Sequence, residues 1–365
     1  MSLNGASTSR EPADGTGLMA RTSRRNPTLS HRDYTIGWIC ALSIEMAAAE
    51  AMLDVLHNAL PRAENDTNTY TLGSILADDV AHNVVVTCLP SGYYGNNNAA
   101  AVTSNLRRTF PSARLCLMVG IGGGVPGTAD IRLGDVVVSE GVLQYDLGKL
   151  LDGGHFMRTG SLKSPPHELL TAVTKLRAKY ELGLDQIDMI LSGMLKRHST
   201  MTQYIRHHLL RDRLFESTYS HVQLNGHWTD DCELCDESML VTRPHRANSN
   251  PIIHYGTIAS GNQVMKNGKT STEVAHELGA LCFEMEGASV MDGFSGLVIR
   301  GISDYSDSHK NKKWQRVAAA TAAAYAKELL LTLPSDTCAP LLMVSITAVD
   351  AGEKSCRIRS SFPPH

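Results

Sequence analysis

Short apolar runs alternate with amphipathic stretches through most of the chain. "YTIGWICAL" (34–42) has strand character, and the alanine-rich "SIEMAAAEAMLDVLH" that follows is apolar at helical spacing, with Ser43 placed to cap it. "TYTLGSILA" and "HNVVVTCLP" form an expected hairpin with "DDVAHN" in the turn. "NNNAAAVTSNLRRTF" predicts a helix capped by one of its asparagines. "ARLCLMVGIGGGVPG" predicts a buried strand running into a glycine-rich turn at 120–124, and "DVVVSEG" predicts another strand.

Residues 166–215 read as mainly helical, and 216–250 as a polar, irregular insertion. Strand character returns at "IHYGTIASGN". "TSTEVAHELG" predicts a helix with a capping box, Thr270 and Glu273, and a stop at Gly279. "LCFEME" is a short strand, "GASVMDGF" a helix, "GLVIRGIS" a strand, and "WQRVAAATAAAYAKELLLTL" a closing helix before Pro334. Strands alternating with helices predict an α/β sheet wrapped by helices. Ligands sit at strand C-termini in such sheets, which is where Ser43–Glu45, the glycines and Asp304 fall.

The 365 residues, with a hydrophobic fraction of 42%, allow one large α/β domain or two smaller ones. A net charge of −3 predicts no nucleic-acid or acidic-membrane partner. No uninterrupted apolar run approaches a membrane span. The first 32 residues are polar, carry Arg10, Arg21, Arg24, Arg25 and Arg32, and lack the apolar core of a secretory signal. Glu11 and Asp14 weigh against a transit peptide, so a disordered tail is expected. Residues 334–365 show no pattern and are read as an appendage. The scattered cysteines match intracellular usage rather than a disulfide framework.

Candidate chemistry concentrates in "CFEMEGASVMDGFSGLVIRGISDYSD" (282–307), where Glu284, Glu286, Arg300 and Asp304 fall among core-like segments. Isolated buried charges are costly, so these groups must be paired or functional. An internal ion-pair network and an active site explain them equally well. Glu45, in the first turn of its helix, gains from the helix dipole whatever else it does. "VGIGGGVPG" is neither a lysine-bearing phosphate loop nor a dinucleotide fingerprint, because a strand follows it instead of a helix. Cys232 and Cys235 form one C-x-x-C near His227 and His245, but four zinc ligands at suitable spacing are not apparent. No metal and no cofactor are expected.

Taken together, "IGWICALSIEMAAAE", "VGIGGGVPGTADIRLGDVVVS", "HYGTIASGNQVMKNG", "CFEMEGA" and "VIRGISDYSDSHKNKKWQ" resemble the nucleoside phosphorylase superfamily, which includes methylthioadenosine/S-adenosylhomocysteine nucleosidase. They resemble in particular its fungal branch, whose domains also occur fused to signalling NTPases. The resemblance spans about residues 33–333, with an insertion at about 193–250. It implies a central mixed, partly barrel-like sheet flanked by helices, and a homodimer or larger assembly in the cytoplasm.

The resemblance also implies site roles. Glu45 takes the place of the acid that activates water. Met285 packs near the sugar and Glu286 holds the ribose hydroxyls. Asp304 protonates N7 of the leaving purine, with Ser303 and Arg300 supporting it. Val264 and Met265 wall the base, and Gly122 lines the pocket. Glu284 is expected to be structural. Phosphorylases of the hexameric branch carry an arginine where this chain has Glu45, and R-V-G-S where it reads "MVGI", so both side-chain phosphate ligands are missing. The nucleosidases carry a serine where Ile121 stands, a departure in the sugar pocket. The implied activity is hydrolysis of a purine nucleoside, adenosine first. The alternatives are a phosphorylase, an AMP or ATP nucleosidase effector, and a non-catalytic purine sensor.

Overall fold

The computed structural model describes residues 29–77, 80–127, 129–223 and 232–334. The expected appendage and most of the expected tail lie outside them. Residues 29–32 do not behave as tail: His31–Asp33 form a 3-10 turn, and the His31 ring packs 5.3 Å from that of Phe110.

Eleven strands are found among the described residues: β1 (Ile36–Cys40), β2 (Val55–Leu56), β3 (Tyr70–Ala77), β4 (Val80–Cys88), β5 (Leu115–Gly124), β6 (Val136–Gln144), β7 (Gly148–Leu150), β8 (Phe156–Arg158), β9 (Ile253–Ser260), β10 (Ala280–Glu284) and β11 (Ser295–Asp304). Nine of them form one mixed sheet in the order β10-β9-β6-β11-β5-β1-β4-β3-β2. β10 also pairs with β5, which closes the ring β5-β11-β6-β9-β10 into a barrel. Helices α1 (Ser43–Met52), α2 (Asn96–Thr109), α3 (His167–Glu181), α4 (Ile187–Arg197), α5 (Gly268–Leu278), α6 (Gly287–Gly293) and α7 (Gln315–Leu330) flank it. The expected fold class is therefore the observed one. None of these helices is long and apolar enough to cross a membrane.

The apolar core divides across the sheet. One side packs α1, α3, α4 and the alanine-rich α7 against Ile36, Trp38, Leu117 and Ile299. Small side chains let α7 approach closely: a Cβ at Gly301 would run into the backbone of Ala318. The other side packs α2 and α6 against Ile39, Cys116, Met118 and Val298.

Several local expectations differ from what forms. The α3-α4 region is helical only to Arg197, after which a 3-10 turn (Thr202–Tyr204) leads into irregular chain. Val80–Asn83, expected in the hairpin turn, belong to β4 and pair with β3. Ser43 does not cap α1; the Glu45 carboxylate accepts the free amides of Ala41 (2.7 Å) and Leu42 (2.9 Å) instead. Helix α2 follows Gly95 at φ 94, with no side-chain cap from its own asparagines. The cap of α5 is Asn267, which accepts the Thr270 amide at 3.0 Å, so the expected capping box does not form, while Gly279 ends the helix in the left-handed region as expected. Most consequentially, the glycines at 120–124 are not a turn. They continue β5 to its end.

Candidate active site

The reason for that glycine run lies in what stands beside it. A Cβ on Gly120 would come within 2.5 Å of Glu45 Oε1 and 2.7 Å of Arg300 Nη1. One on Gly123 would meet Asp304 Oδ1 at 2.6 Å. The glycines keep β5 bare so that charged side chains from α1 and β11 can lie across it. β11 runs parallel to β5 and pairs Arg300 with Gly120 and Asp304 with Gly123, which carries both charged residues to the same sheet end.

Glu45 is buried, and its carboxylate is held at both oxygens. Oε2 accepts from Ala41 and Leu42, and Oε1 accepts from the Ile121 amide at 2.8 Å. Burial pushes its acid strength down, so its pKa lies above the ordinary carboxyl value, against the pull of Arg300 and those amides. Arg300, 1% exposed, donates from Nη2 to Glu284 and, at 3.3 Å, to Glu286. Its Nη1 donates to the Ile121 carbonyl at 3.3 Å. Burial alone would weaken its protonation, but Glu284, Glu286 and Glu45 together hold it charged.

Glu284 accepts the amides of Glu286 and Gly287, which shapes the turn from β10 into α6 and agrees with the structural role expected of it. Glu286 accepts the Gly95 amide at 3.2 Å. Burial raises its pKa to about 7; Arg300 opposes this, while Glu284 and Glu45 add to it. Three carboxylates around a single guanidinium leave this end of the cavity with an excess of negative charge whenever all are ionised.

Asp304 closes the other end. Its Oδ2 accepts the Ser303 hydroxyl at 2.8 Å and pairs with Lys310 Nζ at 3.2 Å, while Oδ1 accepts the Ser306 amide at 3.1 Å. Ser306 adopts φ 55, uncommon for a residue with a side chain, and its hydroxyl donates to the Gly123 carbonyl at 2.8 Å. Ser303 therefore supports Asp304 as expected. Arg300 does not: its Nη1 donates to Ile121 and its Nη2 to Glu284 and Glu286, so its place is with the carboxylates at the opposite end.

All nine residues singled out in the sequence, Glu45, Gly122, Val264, Met265, Met285, Glu286, Arg300, Ser303 and Asp304, line one cavity. Val264 and Met265 reach it from the loop between β9 and α5. Sequence reasoning passed over Lys310, Ser306, Tyr94 and Gln263, which share its lining. The run "SDSHK" places a cation six positions after Asp304, a signal that only the fold makes specific.

The Phosphorylase superfamily pattern matches residues 35–331. The chain belongs to this superfamily. Among curated relatives, a "Nucleotide-binding leucine-rich repeat (NLR)-like protein" from Hyaloscypha variabilis is 43% identical over 91% of this chain. The chain spans 32% of that relative's length, about a third. A 5'-methylthioadenosine/S-adenosylhomocysteine nucleosidase from Mycobacterium bovis is 26% identical, over 82% of this chain and 97% of its own. The ATP nucleosidase Cap17 of Escherichia coli is 24% identical over 80% of this chain and 50% of its own.

The barrel and its helices recur in solved superfamily structures. The methylthioadenosine/S-adenosylhomocysteine nucleosidase of Neisseria meningitidis, in complex with methylthio-immucillin-A, superposes with a TM-score of 0.53 at 16% identity, covering 82% of this chain and 99% of its own. The futalosine hydrolase of Helicobacter pylori superposes with a TM-score of 0.51 at 17% identity, over 82% of this chain and 99% of its own. At these identities the likeness is one of fold.

Proposed function

We propose that this chain hydrolyses the N-glycosidic bond of a purine nucleoside, adenosine first, giving free base and ribose. One observation carries the choice of water over phosphate as nucleophile. The buried end of the cavity holds Glu45, Glu284 and Glu286 against the single Arg300. A phosphate dianion there would be repelled, whereas water is not. The nucleosidase names carried by relatives across the superfamily support the same reading.

In this mechanism Glu286 accepts from the ribose hydroxyls, which only its ionised form can do twice, and Met285 packs beside the sugar. Glu45 takes a proton from the attacking water. Burial makes it a stronger base than a free carboxylate, and its three amide donors hold it in position. Asp304 delivers a proton to N7 of the departing base. The Lys310 ammonium then stabilises the aspartate charge left behind. Val264 and Met265 cover the base. The logic is that of paired carboxylates in glycoside hydrolysis, one acid for the leaving group and one base for water.

A second reading, hydrolysis of a purine nucleotide such as ATP, is favoured by the likeness to Cap17. Chromatography of adenosine, guanosine, inosine, methylthioadenosine and ATP incubated with the protein tests both. The expected result is adenine and ribose at a rate indifferent to added phosphate. Ribose-1-phosphate in the presence of phosphate would overturn the hydrolytic reading, and binding without base release would point to a sensor.

A further inference from the structure

A second constellation sits beside the cavity, in the polar insertion. Phe215, Cys232 and Cys235 form a small buried cluster with Tyr219, Val222, Met239 and Leu240. Within it, a ring nitrogen of His221 and the Sγ atoms of Cys232 and Cys235 lie within 4.8 Å of one another, and all three residues are buried. The C-x-x-C bends in a tight turn, the Cys235 amide donating to the Cys232 carbonyl at 3.2 Å, which turns both thiols to one side. The third partner, His221, is neither of the histidines that the sequence placed near the motif. His245 is exposed and lines a different cavity, and His227 lies outside the described residues.

The donor set of two sulfurs and an imidazole suits zinc and poorly suits magnesium or calcium. At zinc–sulfur distances of about 2.3 Å, tetrahedral ligand atoms stand roughly 3.5–4 Å apart, so the cluster needs to contract by about 1 Å, within the reach of side-chain rotation. A neighbouring group is already arranged as a ligand would be. His309 sets Nδ1 against Asp307 Oδ2 at 3.2 Å, and its buried Nε2 has no hydrogen-bond partner among the described residues. A carboxylate behind one ring nitrogen is the usual support for a metal-binding histidine. The His309 ring centre is 5.5 Å from that of His221, and its carbonyl accepts from Cys232 Sγ at 3.9 Å.

We propose that His221, Cys232 and Cys235 bind a zinc-class divalent cation, with His309 the adjacent donor for the fourth position. On binding, the two thiols release their protons to water and the imidazole binds neutral. The cation would staple the insertion to the chain that leaves β11, where His221 N already donates to Ser308 Oγ at 2.9 Å. That same chain carries Asp304 and Lys310, and a second cavity is lined both by Cys232 and His309 and by Ser303 and Asp304. A core as small as this cluster is the kind that a structural metal stabilises.

The test is the metal content of the full chain, purified without chelator and dialysed against metal-free buffer, a readout independent of the proposed activity. About one zinc per chain is expected, falling to background in Cys232→Ser and Cys235→Ser and unchanged in His245→Ala. Replacement by cobalt(II) in the unmutated chain should give thiolate-to-cobalt charge-transfer absorption, which tests sulfur ligation even if the cysteine variants fail to fold. Chelation should lower the melting temperature. A chain that purifies without zinc and gives no cobalt band overturns the proposal. So does full zinc content in the Cys232→Ser/Cys235→Ser double variant, or a Cys232–Cys235 disulfide in the unreduced chain's peptide map.

Discussion

At the proposed sugar end of the cavity, Glu45, Glu284, Glu286 and Arg300 are all buried; Glu45, Glu284 and Arg300 come from α1, β10 and β11 and Glu286 from the turn between β10 and α6, and all are fixed by backbone amides or by one another. At the proposed base end, only Asp304 and its neighbour Ser303 come from a strand. Ser306 and Lys310 follow them on irregular chain, Lys310 keeps 28% of its side chain exposed, and Val264 is 51% exposed on a loop. The sugar end is buried and electrostatically costly; the base end is more open and assembled partly from irregular chain.

The largest effects should come from removing either proton carrier, which treats the two ends as one machine. Glu45→Gln and Asp304→Asn should each lower kcat by about 10²–10⁴-fold. In Asp304→Asn the substrate should still bind, measured by calorimetry. If either variant turns over at the parent rate, the assignment of that residue fails. Next in size, Arg300→Met should separate the ends through stability. It leaves Glu284, Glu286 and Glu45 without their cation in a buried site, and urea unfolding should show a loss of about 3–5 kcal/mol. Lys310→Met, at the open end, should leave urea stability nearly unchanged and lower kcat about tenfold, because it removes only the charge that stabilises Asp304 after proton transfer. Equal destabilisation by the two substitutions would erase the contrast.

The same contrast decides what could be read without coordinates. The strands β5, β10 and β11 and the helix after β1 follow from apolar runs, because regular elements carry a period, and the residues facing the cavity follow from the order of motifs, loop residues Val264 and Met265 included. What the sequence hides are the tertiary partners. The glycines look like a turn because nothing near them in the chain reveals that Glu45 and Arg300 will occupy the space above β5. Ser43 and Thr270 look like caps, but Glu45 and Asn267 reach the free amides first. Arg300 looks like a companion for Asp304, yet four strand positions separate the two by roughly 13 Å, and its fork meets Glu284 and Glu286. His221 joins Cys232 and Cys235 although the sequence between them carries no helical or strand period to signal it.

A milder perturbation acts through pH on the buried end alone. Glu286, raised to about 7 by burial, gains a proton as the pH falls through that value and then accepts one hydroxyl fewer. KM should therefore rise on acidification below about 7, and Glu286→Gln should flatten that profile. The stability sign is opposite. A carboxyl raised in the folded state contributes fully below its ordinary value of 4.5, and that contribution is lost as the pH climbs through about 7. Melting temperature should fall across this window in the parent, and less in Glu286→Gln.

The smallest expected effect belongs to the most open position. Val264 is half exposed and touches the cavity from a loop, so truncating it removes little buried surface. Two methyl groups only partly withdrawn from water contribute about 1 kcal/mol at most. Val264→Ala should therefore raise KM by no more than about fivefold and leave kcat and urea stability unchanged. Its more informative readout is the ratio of kcat/KM between adenosine and inosine. An apolar wall cannot distinguish a 6-amino from a 6-oxo group, so the ratio should stay constant while both values fall together. A change in that ratio would mean that the loop reads the base itself, and discrimination would have to be reassigned from Asp304 to the segment before α5.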